Sequence, residues 1–386
     1  MKQLFKRMDK PLFFITLGMF VFGAIMILSA SSMESFARHG ASSFNFFIRQ
    51  VAFLIAGAIG FIILIMIPIR KLTKLAPLII VGSVVLLFMV NIYGYATNNA
   101  VRWLPTGLFG FNIQPSEFAK IGVIIFLAWF FAVNKDRLNK LNTVIIAFVP
   151  IALICMSVFF QPDLGTTMII AGISLLMFFA VPGAQKVKKQ IAVIMAGAVV
   201  LMVGLIMLLG PHILSGNQLS RFNFLRPCDR YFEVTGYQVC NGFIAINSGG
   251  LIGQGFANSS QKHLYLPEGY TDFIFPIIIE ELGFVSAILI MLAYAAIIAR
   301  LLIISKKSKH LEGAYIAYGV AIYIFLHLVI NIGGFTGLIP LSGVPLPFLS
   351  YGGSIAIALI AALALAQRVA IESNAKPKRK KVETTN

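Results

Sequence analysis

Residues 11–30 read PLFFITLGMFVFGAIMILSA, twenty residues without one charge, preceded by Lys2, Lys6, Arg7 and Lys10. An α-helix rises about 1.5 Å per residue, so such a stretch spans roughly 30 Å, the thickness of a bilayer's hydrocarbon core. Nine further apolar runs follow, at about 47–68, 75–94, 117–133, 143–160, 166–182, 191–210, 273–303, 313–333 and 347–369. They lack the alternation of a β-barrel strand, and at membrane depth only helices or closed barrels satisfy their own backbone. The expectation is an all-α integral membrane protein of about ten transmembrane helices. Composition agrees, with 59% hydrophobic and 12% charged residues in 386, too few charges to clothe a soluble surface. The first run exceeds the roughly 7–15 residues of a signal-peptide core, so it reads as a retained helix.

A net charge of +17 invites a nucleic-acid reading, which the placement of the charges removes. Lysine and arginine cluster in alternate connections: at the N-terminus, then Arg70, Lys71 and Lys74, then Lys135, Arg137 and Lys140. Further groups are Lys186, Lys188 and Lys189; Arg300, Lys306, Lys307 and Lys309; and the run from Arg368 to Lys381. Basic residues favour the cytoplasmic side, so both termini are assigned there, with the lysines facing anionic lipid heads. Nine acids run the other way: Glu34, Glu117, Asp163, Asp229, Glu233, Glu268, Asp272, Glu280 and Glu281. Acids contribute little to orientation, so this asymmetry points to chemistry on the outer side.

Residues 1–370 form one membrane domain, and 371–386 a basic cytoplasmic tail expected to be disordered. No G-x-x-x-x-G-K-[ST] occurs, which excludes a nucleotide-driven pump within this chain. The glycines from Gly249 to Gly255 lack the strand that a dinucleotide site requires. Outer connections fall at 95–116, 161–165 and 334–346. By far the largest is 211–272, between helices seven and eight, and a connection of that length is usually functional. Within it, 239–250 mixes apolar and small polar residues, as an interfacial or re-entrant helix would. Cys228 and Cys240 share this loop, where oxidation is permitted, so they form either a disulfide or two free thiols. Cys155 lies in an apolar run and reads as a small core residue.

Ionisable groups inside a membrane are costly and mark functional sites. Glu280 and Glu281 lie about 12 Å along the helix that begins near Phe273. They either face a cavity or sit at head-group depth. Asp272 stands where the large loop meets that helix, in Leu266-Pro267-Glu268-Gly269-Tyr270-Thr271-Asp272. Thr271 or Asp272 would cap the helix, and a carboxylate so held would also serve as a base. In Gln114-Pro115-Ser116-Glu117-Phe118-Ala119-Lys120, Pro115 and Ser116 read as a helix start. Glu117 and Lys120, three residues apart, share a face and can pair. Arg102 and Trp103 would anchor their loop at the interface. Asp163 lies in the tight turn Gln161-Pro162-Asp163, and Arg221 and Arg226 are candidate phosphate contacts. The histidines show no metal-binding spacing.

Several of these stretches together resemble the SEDS family, named for shape, elongation, division and sporulation. They are 114–120, 161–167, 245–255, 266–272 with Glu280-Glu281-Leu282-Gly283, and above all 337–353, GLIPLSGVPLPFLSYGG. The division branch looks closer than the elongation branch, on Leu28-Ser29-Ala30-Ser31-Ser32 and on Gly236-Tyr237-Gln238 leading to Gln261-Lys262. The resemblance implies a glycosyltransferase that joins lipid II into peptidoglycan strands at the outer face and releases polyprenyl pyrophosphate. It also implies a class B penicillin-binding protein and other division proteins as partners, a plasma-membrane location at the septum, and no nucleic acid.

The family's essential acid falls on Asp272, the candidate catalytic base. Lys120, Glu117, Arg102, Arg221, Asp163, Glu268, Glu280, Glu281 and Ser350 are candidate substrate-binding residues. The resemblance further suggests a divalent cation, Mg or Mn, whose ligands no spacing identifies. The rival functions are a flippase for the same precursor and a scaffold that recruits a penicillin-binding protein. A flippase would need polar residues in both membrane halves, whereas here they crowd the outer one.

Overall fold

The computed structural model describes residues 2–39, 42–97, 100–105, 112–197, 204, 227–230 and 234–375. The chain opens with α1 (Lys2–Arg7), α2 (Lys10–His39), α3 (Asn45–Met66), α4 (Ile69–Lys74) and α5 (Ala76–Tyr93). After a small sheet come α6 (Pro115–Val133), α7 (Leu141–Phe159) and α8 (Leu164–Ala180). Residues 185–197 are also helical, here α9. Then follow α10 (Val234–Gly249), α11 (Ile274–Lys307), α12 (Leu311–Phe335) and α13 (Gly353–Ser373). Eight of these, α2, α3, α5, α6, α7, α11, α12 and α13, are long and apolar enough to cross a membrane, and α8 is a shorter apolar helix. The expected seventh span, 191–210, lies largely outside the described residues, as does the tail beyond Ala375.

Burial sorts the helices into a core and a lipid-facing shell. The central helices α6, α12 and α13 are buried nearly all round. By contrast α3 exposes Ile48, Ile55, Ile59 and Ile62, a single stripe at helical spacing, and α13 packs along its other side. Apolar surface exposed in that pattern is stable only against hydrocarbon. The helix ends follow local chemistry: the Leu12 amide donates to the Asp9 carboxylate at the start of α2, and Pro115 occupies the first turn of α6.

Three features depart from the expectation of plain helices and loops. First, the 95–116 connection carries a three-stranded antiparallel sheet, β1 (Tyr95–Thr97), β2 (Ala100–Pro105) and β3 (Asn112–Ile113), in the order β1-β2-β3. Second, α11 is not continuous. Gly283 adopts φ +78°, and the main chain of 250–255 runs alongside the break. The Gln254 and Gly255 amides donate to the Glu280 and Glu281 carbonyls at 2.9 and 3.0 Å. In return the Phe284 and Val285 amides donate to the Gly250 and Leu251 carbonyls. Broken helices are tolerated at membrane depth where another segment takes over the freed backbone groups. The glycines of 249–255 permit that approach: a Cβ on Gly253 would stand 2.3 Å from the Glu281 carbonyl oxygen.

Third, the last helix starts at Gly353 rather than 347, and the segment before it enters the bundle. Leu346, Phe348, Leu349 and Ser350 are buried. The Phe348 carbonyl lies so close to Gly23, in the middle of α2, that a Cβ there would be 2.2 Å away. Tyr294 of α11 donates its hydroxyl to the Pro347 carbonyl. A segment with two prolines cannot supply a full set of helical hydrogen bonds, so surrounding side chains supply them instead.

Candidate active site

At the outer end of α11 and α12 the chain turns tightly through 266–273. Glu268 has φ +56°, a left-handed conformation uncommon for a residue with a side chain, and its carbonyl accepts from the Thr271 and Phe273 amides. The Thr271 hydroxyl lies 2.6 Å from Glu268 Oε2 and 3.2 Å from Asp272 Oδ1. The expected helix cap is absent: Phe273 stands at the cap position, and no side-chain cap hydrogen bond forms there. The Asp272 carboxyl is thus not committed to the helix it precedes.

Its backbone is held elsewhere. Asn331 of α12 donates 2.8 Å hydrogen bonds to the carbonyls of both Asp272 and Val344, tying the loop to the inserted segment. Gly343, at φ +64°, faces the acid: a Cβ there would lie 3.5 Å from Asp272 Oδ2. Asp272 is 8% exposed, and burial, reinforced by the negative charge of Glu268, raises its pKa from 3.8 to about 7. Its hydrogen bonds, including that from Thr271, and the positive charge of Arg102 offset part of the rise.

Arg102 projects from β2 toward the turn at 161–163. Its Nε lies 3.3 Å from Asp163 Oδ2, and its terminal nitrogen donates to the Pro162 carbonyl at 3.2 Å. Asp163 is a helix cap, accepting from the Thr166 amide at 3.1 Å and the Thr166 hydroxyl at 3.0 Å. Its neighbour Gly165 packs against Ser342 and Val344, which brings the start of α8 to the segment that faces Asp272. The outer site therefore gathers Asp272 and Glu268, Arg102, and Asp163 from three separate parts of the sequence.

The other candidates are placed differently. Lys120 is wholly buried, donating to Glu117 Oε1 at 2.8 Å, with His327 Nε2 2.9 Å away. His327 Nδ1 lies 3.2 Å from the Pro345 carbonyl, so the natural tautomer donates there and accepts from Lys120. Lys120 thus props the inserted segment from beneath and does not open to the outer site. Glu280 accepts from the Ser260 amide at 3.0 Å, the Gln261 amide at 3.4 Å and the hydroxyls of Ser248 and Ser259. Glu281 pairs with Lys262 at 3.1 Å and accepts from Ser29 at 2.6 Å. Both glutamates are fully buried and organise the outer loop. Ser350 closes a turn, accepting from the Leu346 amide at 2.8 Å. Cys228 and Cys240 are disulfide-bonded, joining the turn Pro227–Arg230 to α10. Arg221 and Arg226 lie outside the described residues.

Sequence marks Asn331 as a polar group within the bundle but singles out neither His327 nor Lys262 as a site residue. His327 and Asn331, four apart on α12, share a helical face, a polar pair in an apolar run that sequence alone could have flagged. Lys262 is 19 positions from its partner Glu281, with no local signal linking them.

Residues 10–375 match the family described as cell cycle protein, FtsW/RodA/SpoVE. Among curated relatives, the probable peptidoglycan glycosyltransferase FtsW of Bacillus subtilis is 35% identical over 99% of this chain and 95% of its own length. That of Enterococcus hirae is 34% identical, covering 95% of this chain and 93% of its own. Among solved structures, a chain from a peptidoglycan synthase complex superposes with a TM-score of 0.74 at 23% identity, covering 95% of this chain and 98% of its own. The rod shape determining protein RodA of Thermus thermophilus gives 0.65 at 23% identity, over 94% and 96%.

Proposed function

This chain belongs to the FtsW/RodA/SpoVE family of cell cycle proteins, and we propose from that premise that it is a peptidoglycan glycosyltransferase. It polymerises lipid II at the outer face of the plasma membrane during division, beside a class B penicillin-binding protein and other division proteins at the septum. The observation that carries the reading is Asp272, a buried carboxyl whose pKa burial raises to about 7, its backbone held by Asn331 and its oxygen faced by Gly343.

The reaction joins a sugar 4-hydroxyl to the anomeric carbon of a glycan carried on a lipid pyrophosphate. Asp272 takes the hydroxyl proton as the new C–O bond forms. The bond to the pyrophosphate breaks with its electron pair leaving on the phosphate oxygen. Arg102, partly exposed beside the site, offsets that charge. Gly343 leaves Asp272 Oδ2 open to the incoming hydroxyl, since a side chain at that position would stand in its way. Among the described residues no three His, Cys, Asp or Glu side chains converge as metal ligands. A divalent cation such as Mg or Mn would, when bound, help neutralise the charge of the departing pyrophosphate.

The test is polymerisation of lipid II by purified protein, alone and with its transpeptidase partner, comparing wild type with Asp272→Ala. Wild type is expected to make glycan strands, and the variant none, with helical content and melting temperature retained. Turnover by the variant would remove Asp272 from the role of base. Should wild type with its partner form no product, precursor movement across vesicles becomes the assay, and the flippase reading replaces this one.

A further inference from the structure

At the opposite end of the molecule a cavity of about 290 Å³ opens between the α1–α2 junction and the ends of α11 and α13. This is the end that the basic residues assign to the cytoplasm. Lys6, Lys10, Arg300 and Lys307 line it, with Asp9 the one acid among its described lining residues. Asp9 is already engaged: Arg300 donates Nε and a terminal nitrogen to its two carboxylate oxygens at 3.2 and 2.5 Å. The three lysines therefore surround the cavity without an acidic partner among the described residues. So concentrated a positive charge is costly to hold together unless an anion joins it.

Beside the charged groups the cavity has an apolar wall. Ile303 and Pro11 line its wall, and Ile303 lies between Arg300 and Lys307 on one face of α11. On α2 the exposed Phe14, Leu17 and Val21 continue the face that Lys10 begins, at helical spacing toward the membrane interior. The site is thus amphipathic in the order a phospholipid is, cations at the level of the head group and a hydrocarbon track beneath. It also sits at the opposite end of the bundle from Asp272, so the glycosyl-transfer reading does not absorb it.

We propose that this cavity is a binding site for the phosphate head group of an anionic phospholipid of the inner leaflet, with an acyl chain lying along α2. A basic pocket between helices on that side is the geometry that recognises such head groups. Arg300 is fixed by Asp9 as a directed donor, while Lys6, Lys10 and Lys307 supply mobile charge around the phosphate.

Native mass spectrometry of the full chain, titrated with cardiolipin or with phosphatidylethanolamine, tests this directly. The wild type is expected to retain cardiolipin in preference to the zwitterionic lipid. A Lys6→Ser/Lys307→Ser variant, which leaves the Asp9–Arg300 pair intact, should weaken that retention on the order of tenfold. The variant Lys135→Ser/Lys140→Ser, with equal charge removed from another basic loop, should leave it unchanged. Millimolar inorganic phosphate should not displace the lipid from the wild type. Equal losses in the two variants would reduce the effect to diffuse surface charge and overturn the site. Displacement by phosphate alone would make it a pocket for a free anion, and absence of any wild-type preference would end the proposal without recourse to a variant.

Discussion

A base must be unprotonated to act, and its strength rises with its affinity for the proton it is to take. In its proposed role as the base, Asp272 balances these demands through burial, which lifts its pKa to about 7, and through Arg102, which limits the rise. Two consequences separate a base from a merely structural acid. The kcat/KM for lipid II should climb with pH through about 7 as the carboxyl deprotonates, and Arg102→Gln, by removing a charge that favours the anion, should shift that limb to higher pH. Stability should move the opposite way. A carboxyl whose pKa is raised on folding stabilises the fold below its ordinary pKa of 3.8, and that contribution is lost as pH rises through about 7. Melting temperatures at pH 6 and pH 8 should therefore fall for the wild type by more than for Asp272→Asn. An unshifted limb in Arg102→Gln, with equal melting trends in both proteins, would deny the carboxyl its raised affinity. The sequence singles out this acid by the motif around it, but shows nothing of what restrains it. Asn331 lies 59 positions away and Gly343 farther still, and no local spacing connects them.

Among the elements, the break in α11 decides how the outer loop is seated. The periodicity of 273–303 reads as one helix because Gly283 is apolar enough to pass within it, and glycine does not announce a positive φ. The inserted segment at 344–350 escaped in the same way, its apolar residues counting toward a span. Most other expected helix positions agree with the described ones within about four residues, but α2 runs on to His39, past the expected end at 30, and α9 starts at 185 rather than 191. At Gly283 an alanine would carry its Cβ to 2.2 Å from the Leu251 carbonyl oxygen while holding φ +78°. Leu251 is backbone locked by its own hydrogen bond to Val285, so it cannot give way cheaply. Gly283→Ala is expected to cost about 1–3 kcal/mol in strain alone and to abolish polymerisation, because the Glu280 and Glu281 carbonyls would lose their loop partners. Gly18→Ala, on α2 with nothing within 4 Å of the new atom, is the matched control and should melt like wild type. A Gly283→Ala protein that melts with that control would show α11 to be continuous.

Taken whole, the molecule is a helix bundle whose two ends are built by different rules. The basic end is ordered by topology and charge, both visible in the sequence. The outer end is ordered by long-range contacts, which are not: the inner part of the large loop is fastened by Lys262 to Glu281 and Ser29, by Glu280, and by the Tyr351 amide donating to the Tyr270 carbonyl. The Cys228–Cys240 disulfide is not one of these fastenings; it closes a loop of 12 residues onto α10. A crosslink of that span removes chain entropy worth about 3 kcal/mol from the opened state, and that state is local, since the bundle beneath keeps its own contacts. Reduction, or Cys228→Ser/Cys240→Ser, should therefore leave the main melting transition within a degree or two while raising the rate of proteolytic cleavage between Pro227 and Val234. Retention of Lys262, Glu280 and Asn331 contacts should keep Asp272 in place, so polymerisation by uncleaved protein should persist. Were the thiol-free protein instead to lose its melting transition as a whole, the loop would be a folding partner of the bundle rather than an attachment to it, and the outer end could not be treated as a separately opening unit.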